Sequence, residues 1–193
     1  MFIQTESTPN PATLKFLPGQ TVLDSGTADF RDRESASGSP LASRIFAVSG
    51  VTAVFVGNDF VTATKDDHIE WDHLKPAILG AIMEHFQSGD PVIAADVERS
   101  GGHAEHSGEH SEVVNQIKEL LDSRVRPAVA QDGGDITFHG FDRGVVYLHM
   151  QGACAGCPSS TLTLKMGIEN LLRHYIPEVT EVRPVGGLDP FNG

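Results

Sequence analysis

The chain has 193 residues, a formal net charge of −12 and only two cysteines. That length sets two domains as the expectation. The charge excludes a general nucleic-acid binder, which needs a basic face, and gives no attraction to an anionic membrane; no apolar run approaches the ~20 residues of a membrane-crossing helix.

Residues 1–88 read as one α+β unit. Phe2 to Thr5 alternates as a strand, Thr8-Pro9-Asn10-Pro11 is a turn, and Thr13 to Leu17 is a second strand closed by Pro18-Gly19. Phe30 to Ser39 is polar and reads as loop. Ser39 caps a short helix with Pro40 at its first position and Leu41, Ile45 and Phe46 on one face. Val51 to Val56 and Phe60 to Lys65 flank Gly57-Asn58-Asp59, a hairpin signal. Trp71 to Phe86 closes the unit as a helix, with Leu74, Ile78, Ile82 and Phe86 near helical spacing. His68, His73 and His85 lack metal-ligand spacing and read as ordinary surface or helix histidines.

Residues 89–111 read as a flexible linker, polar and Gly-rich, opened by Gly89-Asp90-Pro91. Its His103, His106 and His110 offer imidazoles for a transient metal, but a solvated tether is the plainer reading.

Residues 112–193 read as helix, strand, strand, helix, strand. Val113, Val114, Ile117, Leu120, Leu121 and Val125 form an apolar helix face that ends near Arg126-Pro127. Gln131-Asp132-Gly133-Gly134-Asp135 reads as a tight turn rather than a phosphate cradle, because no Lys-Ser/Thr follows. Asp132 and Asp135 offer a carboxylate pair for acid–base work, but turn chemistry explains them more simply. Strands over Ile136 to Phe141 and Val145 to Met150 join at Asp142-Arg143-Gly144. A helix over Ser159 to Tyr175 follows, with Leu164, Ile168, Leu171, Leu172 and Tyr175 on one face, then a strand over Val179 to Val185 and a tail from Gly186. Gly167 inside that helix costs about 1 kcal/mol relative to Ala and points to close packing.

The stretch with chemistry is Gly152-Ala153-Cys154-Ala155-Gly156-Cys157-Pro158-Ser159-Ser160, which holds both cysteines between a strand and a helix. A helix N-terminus favours thiolate over thiol, and the small residues around the pair leave the sulfurs uncovered. Three chemistries fit C-x-x-C here: iron–sulfur ligation, thiol–disulfide exchange and zinc binding. Two buried structural cysteines are the weak alternative, since an apolar core is not written with flanking Gly and Pro.

Cys154-x-x-Cys157 with Ser159-Ser160-Thr161-Leu162 and Met166-Gly167-Ile168-Glu169, preceded by Arg126-Pro127 and Asp132-Gly133-Gly134-Asp135-Ile136, resembles the C-terminal domain of NifU, the Nfu-type iron–sulfur cluster scaffold. Residues 1–88 resemble the N-terminal domain of the same proteins through Gln4-Thr5-Glu6, Thr8-Pro9-Asn10-Pro11, Thr13-Leu14-Lys15-Phe16, Ser39-Pro40-Leu41 and the hairpin around Gly57. The resemblance implies a carrier rather than an enzyme: it assembles or carries a [4Fe–4S] cluster, with [2Fe–2S] as the alternative, receives it from upstream assembly machinery and delivers it to apo iron–sulfur proteins. It implies Cys154 and Cys157 as the metal and cluster ligands, and no ligand in the N-terminal domain. A cluster takes four thiolates and each chain offers two, so a cluster-bridged homodimer is expected. The redox reading loses ground because no Trp precedes the pair and Pro158 follows it, unlike the W-C-G-P-C of thioredoxins. An interaction adaptor with an idle thiol pair leaves the Gly-framed loop without a reason.

The fold expected is therefore α+β, two small α/β-sandwich-like domains on a Gly/His-rich linker. Met1-Phe2-Ile3-Gln4-Thr5-Glu6 has neither a signal-peptide nor an Arg-rich transit pattern, and two close cysteines fit a reducing compartment. The mitochondrial members of the family carry a targeting extension that these residues do not resemble. The expected location is a bacterial cytoplasm.

Overall fold

The computed structural model describes residues 1–94, 111–155 and 158–185. Contacts divide the chain into two compact units between Gly101 and Gly102. Both units are α+β, as the sequence leads one to expect. The linker histidines His103, His106 and His110 lie outside the described residues.

In the first unit, five antiparallel strands run in the order β1 (Gln4–Ser7), β2 (Thr13–Leu17), β5 (Val61–Lys65), β4 (Val51–Val56) and β3 (Ala28–Phe30). Helices α1 (Pro40–Phe46) and α2 (Trp71–Ser88) supply Leu41, Ile45, Ile78 and Ile82 to one core with Phe16, Val54 and Val56 of the sheet. Strand β3 falls just ahead of the stretch read as loop and reaches into it at Phe30. It is only three residues long, but Ala28 and Phe30 are buried and pair with Val56 and Val54. The rest of that stretch includes a 3-10 turn at Ser35–Gly38.

Ser39 caps α1 as expected, its hydroxyl accepting from the Ala42 N–H at 3.1 Å. The same hydroxyl donates to the Val92 carbonyl at 2.5 Å, and the Ala94 N–H donates to the Gly38 carbonyl at 2.8 Å. These bonds seat Val92 and Ile93 against the core, so packing continues past the left-handed Gly89 that ends α2.

His68 and His73 are exposed, but His85 is not an ordinary surface histidine. It is fully buried, and neither ring nitrogen has a hydrogen-bond partner. The apolar series Leu74, Ile78, Ile82 carries on to position 85 rather than to Phe86, which is half-buried and meets the His85 ring edge-on. Burial, and then the Arg44 charge, hold the imidazole below its ordinary pKa, against a smaller opposing pull from Asp90.

In the second unit, one helical run is built from α3 (Ser111–Leu120), a π turn (Leu121–Val125) and α4 (Arg126–Gln131). The helix therefore does not end at Arg126-Pro127. Proline lacks the N–H that would bond four residues back, and the chain widens here instead: the Arg126 N–H donates to the Leu121 carbonyl five residues earlier. Ile117, Leu121, Val125 and Val129 stay on the buried face through the widened turn.

Strands β6 (Gly134–Asp142) and β7 (Val145–Gly152) form a hairpin, and β8 (Glu181–Val185) joins β7 in parallel after crossover helix α5 (Pro158–Tyr175). Arg143 and Gly144 have φ of 48° and 84°, the two left-handed residues of a tight hairpin turn. Ile136, Phe138, Val146, Leu148, Ile168, Leu172 and Val182 make the core between sheet and helices. Gly167 does not serve packing within this unit: a methyl group there would meet nothing within 4 Å.

His85 generates a prediction. Its folded pKa lies below that of the unfolded chain, so the unfolded state binds the extra proton. Its contribution to stability is intact above about pH 6.5 and falls as pH drops below that value. Trp71, the single tryptophan, reports on this unit alone. Urea unfolding followed by Trp71 fluorescence should show a lower midpoint at pH 5.5 than at pH 7.5. His85→Leu should flatten that difference; an equal pH dependence in the variant would show that the loss arises elsewhere.

Candidate functional site

The site is built where β6 begins and β7 ends. Gly134 pairs with Gly152 and Asp135 with Gln151. Gly152 is left-handed, with φ of 64°, and turns the chain out of β7 into residues 153–155. The Ala153 N–H donates to the Gly133 carbonyl at 3.1 Å, and the Thr161 hydroxyl of α5 donates to the Cys154 carbonyl at 3.0 Å. Cys154 is thus held between the hairpin mouth and the first turns of α5.

The two glycines of the Asp-Gly-Gly-Asp run do different work. Gly133 takes a φ of 81°, which ends the turn after α4. Gly134 makes room for sulfur: a Cβ there would lie 2.5 Å from Cys154 Sγ, 2.8 Å from the Gln151 carbonyl and 3.1 Å from the Cys154 nitrogen. No side chain larger than hydrogen fits without moving the cysteine.

Asp135 is not turn chemistry. Its side chain is buried, with the residue 4% exposed, and accepts from Arg126 Nε and Nη2 at 2.8 Å each and from the Ile136 N–H at 2.8 Å. Arg126 also donates to Asp122 Oδ1 at 2.9 Å. The hydrogen bonds to Asp135 are the largest influence on the guanidinium and keep it above its ordinary pKa. The pair ties the π turn and α4 to the start of β6, one residue from the glycine under Cys154. Sequence reasoning read Asp135 as half of a carboxylate pair with Asp132 or as turn chemistry, and Arg126 as a helix end, and did not join the two. A carboxylate in a strand otherwise buried was the available signal, because such a charge demands a partner.

Cys154 is 6% exposed and packs into the second unit's core. Burial first, and then the charges of Asp132 and Asp135, push its thiol up to about 12. The expectation of an uncovered sulfur favoured as thiolate is therefore corrected for Cys154. It sits in the turn before α5, four residues short of Pro158, where packing outweighs any pull of the helix end. Cys157 and Gly156, and the side chains of Ser159 and Ser160, lie outside the described residues. Among the described residues, no group of three or more His, Cys, Asp or Glu side chains is gathered as a metal site.

Two α+β units, the second carrying a cysteine turn over a Gly-Gly hairpin mouth, define a class of small two-domain proteins with a thiol site in one domain. The family comparisons place the chain within that class. Residues 3–89 match the scaffold protein Nfu/NifU N-terminal domain and residues 117–183 the NifU-like domain, so the chain belongs to the Nfu/NifU-like family. It is 53% identical over 184 residues to NifU-like protein 4, mitochondrial, of Arabidopsis thaliana, covering 94% of this chain and 65% of that protein. It is 50% identical over 186 residues to the human protein named NFU1 iron-sulfur cluster scaffold homolog, mitochondrial, covering 96% of this chain and 72% of that one. The chain thus spans about two thirds of the length of these relatives. A solution structure of a NifU-like protein from Saccharomyces cerevisiae aligns with 50% of this chain and 87% of that one, at 29% identity and a TM-score of 0.45.

These relatives overturn the expected bacterial cytoplasmic location, since they are named as mitochondrial. The expectation rested on the first residues of the chain. Those carry no information about targeting when about a third of the first relative's length lies outside the match.

The site predicts two stability losses without any cargo. Asp135→Asn removes one charge of a buried pair and should cost about 3 kcal/mol. Gly134→Ala should cost about 1–3 kcal/mol by overpacking against Cys154. Both should shift urea unfolding of the second unit in far-UV circular dichroism and leave the Trp71 transition in place. A shift in the Trp71 transition as well would mean that the two units do not unfold independently.

Proposed function

We propose that the chain is an iron–sulfur cluster scaffold whose second unit takes a [4Fe–4S] cluster as cargo on Cys154 and Cys157. The observation that carries the reading is the seat of Cys154. One thiol is set at the hairpin mouth by Gly134 and the Arg126–Asp135 pair, in a unit that matches the NifU-like domain. The name of the human relative supports the same role. The chain carries the cargo and catalyses no reaction.

At Cys154 the environment favours ligation over attack on a disulfide. A nucleophilic cysteine must be thiolate before it attacks, and Cys154 is held neutral by burial and by two carboxylates. Iron displaces the proton in the act of binding, so a neutral thiol is no bar to ligation. In Cys157→Ser, where Cys154 is the remaining cysteine, alkylation by iodoacetamide at pH 8 should run much slower than for a free thiol and should rise with pH. Alkylation as fast as for glutathione would undo this part of the reading.

Two thiolates per chain against four ligand positions on a cluster favour one cluster bridging two copies. Four thiolates around a [4Fe–4S]²⁺ core leave a net charge of −2, which two helix N-termini at Pro158 offset in part. The apo form is then monomeric and the loaded form a dimer. The division into two domains on a tether belongs to this proposal, with the first domain running through Ala94 rather than ending at 88, since Val92 and Ile93 pack in its core, and with the cysteine-free first unit as a docking module for donors or apo-protein recipients.

Anaerobic reconstitution with iron and sulfide, followed by Mössbauer spectra and light scattering on a sizing column, tests it. The expected result is four irons and four sulfides per two chains, and no cluster on Cys154→Ser or Cys157→Ser although both keep their helix content. Four irons on a monomeric chain with no added thiol would refute bridging. A colourless protein with a reversible Cys154–Cys157 disulfide would refute the scaffold reading.

A further inference from the structure

Cys154 is seated from two sides. The hairpin supplies two contacts: the Ala153 N–H bonds to the Gly133 carbonyl at 3.1 Å, and Sγ fills the space that a Cβ on Gly134 would take. Helix α5 supplies a third, the half-buried Thr161 hydroxyl donating to the Cys154 carbonyl at 3.0 Å. A helical threonine hydroxyl ordinarily returns to the carbonyl three or four residues back in its own helix. This one reaches seven residues back, past the start of α5 at Pro158 and into the cysteine turn. Among the described residues it is the one donor to that carbonyl. The bond closes no turn of α5, so its use lies with the cysteine.

We propose that Thr161 is a positioning residue for cargo uptake: its hydroxyl latches the cysteine turn onto α5 in the empty protein, and the latch opens when Cys154 turns out to meet iron. The inference rests on the cluster-scaffold reading above and deepens it. A sulfur packed into the core, in a residue only 6% exposed, has to leave its seat to bond an iron that lies outside the core. As that bond forms the thiol proton passes to water, and no electron changes hands. The turn is built to move as a small piece. Gly152, left-handed at the end of β7, gives it a pivot, and the bonds that hold it are few: Thr161 to the Cys154 carbonyl, Ala153 to Gly133, and Ala155 back to Gly152 at 3.1 Å within the turn itself. Opening it breaks no pair of the β6–β7 ladder and no turn of α5, so it is a local event and not an unfolding of the unit. Thr161 is the side chain in this set whose removal leaves the backbone bonds in place, and it is therefore the residue that adjusts how often the seat opens.

The test uses the full chain and reads the empty and the loaded protein separately. In the Cys157→Ser background, Thr161→Val keeps the shape of the side chain and removes its hydroxyl; iodoacetamide should then alkylate Cys154 about fivefold faster, the change expected from one net hydrogen bond. Thr161→Ser, which keeps the hydroxyl, should return the rate to that of the parent. With both cysteines present, anaerobic loading with iron and sulfide should run about fivefold faster in Thr161→Val, while loss of iron to a ferrous chelator stays at the wild-type rate, because the bond is already broken in the loaded state. A measurement without any change at Thr161 stands beside these, in case the valine variant does not fold. Cys154 alkylation and exchange of the Ala153 amide should report one and the same opening, more frequent than that of the Val146 amide in the core of β7. Alkylation that waits for the opening of Val146 would overturn the latch. So would unchanged alkylation in Thr161→Val together with faster iron loss, since the bond would then belong to the loaded state. Equal rate changes in the valine and serine variants would assign the effect to shape and overturn it too. A wild type that takes up no cluster would sink the scaffold reading, and the part of Thr161 in loading with it, whatever the alkylation shows.

Discussion

The second unit depends on one buried charge. Asp135 enters β6 as a carboxylate with almost no access to water, and an unpaired carboxylate there would cost several kcal/mol. Arg126 meets it with two hydrogen bonds in fork geometry, and the Ile136 N–H supplies a third. Breaking a buried pair costs more than forming it gains, so the pair acts as a constraint on position more than as a source of stability. What it constrains is specific. Arg126 is the first residue of α4, directly after the π turn, and the N–H of that same residue closes the widened turn onto Leu121. The side chain of one residue and its backbone thus settle the helix path and the start of β6 together.

From that fixed point the geometry of the thiol follows. With Asp135 pinned, Gly134 is pinned beside it, and the space over Gly134 is what Cys154 Sγ occupies. Gly133 meets the cysteine turn from below through its carbonyl, and Thr161 meets it from α5. The thiol is therefore a packed core group in the described state, neutral and shielded, rather than a sulfur waiting in solvent. A buried neutral thiol protects against oxidation, which follows thiolate character and access. In the proposed carrier this gives an empty form that is a stable, well-packed state in its own right, and that property suits a protein which must exist both with and without its cargo.

Much of this was legible from residue patterns, and the failures have physical causes. Binary alternation and apolar periodicity located β2, the β4–β5 hairpin, α1, α2, α5 and the β6–β7 hairpin to within a residue or three, because each has one face that must be buried. Strand β3 escaped because three residues give too short a pattern to distinguish from loop. The helix stop at Pro127 was the right rule with the wrong outcome: proline forbids one backbone bond, and a π turn satisfies the remaining groups without ending the helix. His85 was misjudged because a neutral imidazole is apolar enough to occupy a core position, so its residue type says little about its burial. At the site, the cysteines announced themselves, but the role of Gly134 did not. A glycine used for room leaves no mark in its own sequence neighbourhood, since the atom it accommodates is twenty residues away.

The charge of the chain bears on how copies could meet. At physiological ionic strength the screening length is about 8 Å, so a net charge of −12 acts between two copies mainly through the charges close to the contact. Association of acidic chains is then decided locally, by what lines the approach rather than by the total. On α5 the inward face is spent on the unit's own core through Ile168 and Leu172. The outward face carries Leu162, Met166 and Asn170, while the exposed Arg173 forms an ion pair with Glu169 of its own helix at 3.8 Å. An apolar face of two side chains is too small to hold a stable dimer by itself, since lasting interfaces need about 800 Å² from each partner. A contact of that size adds to another bond without replacing it. Copies would then stay apart when nothing bridges them and come together when something does.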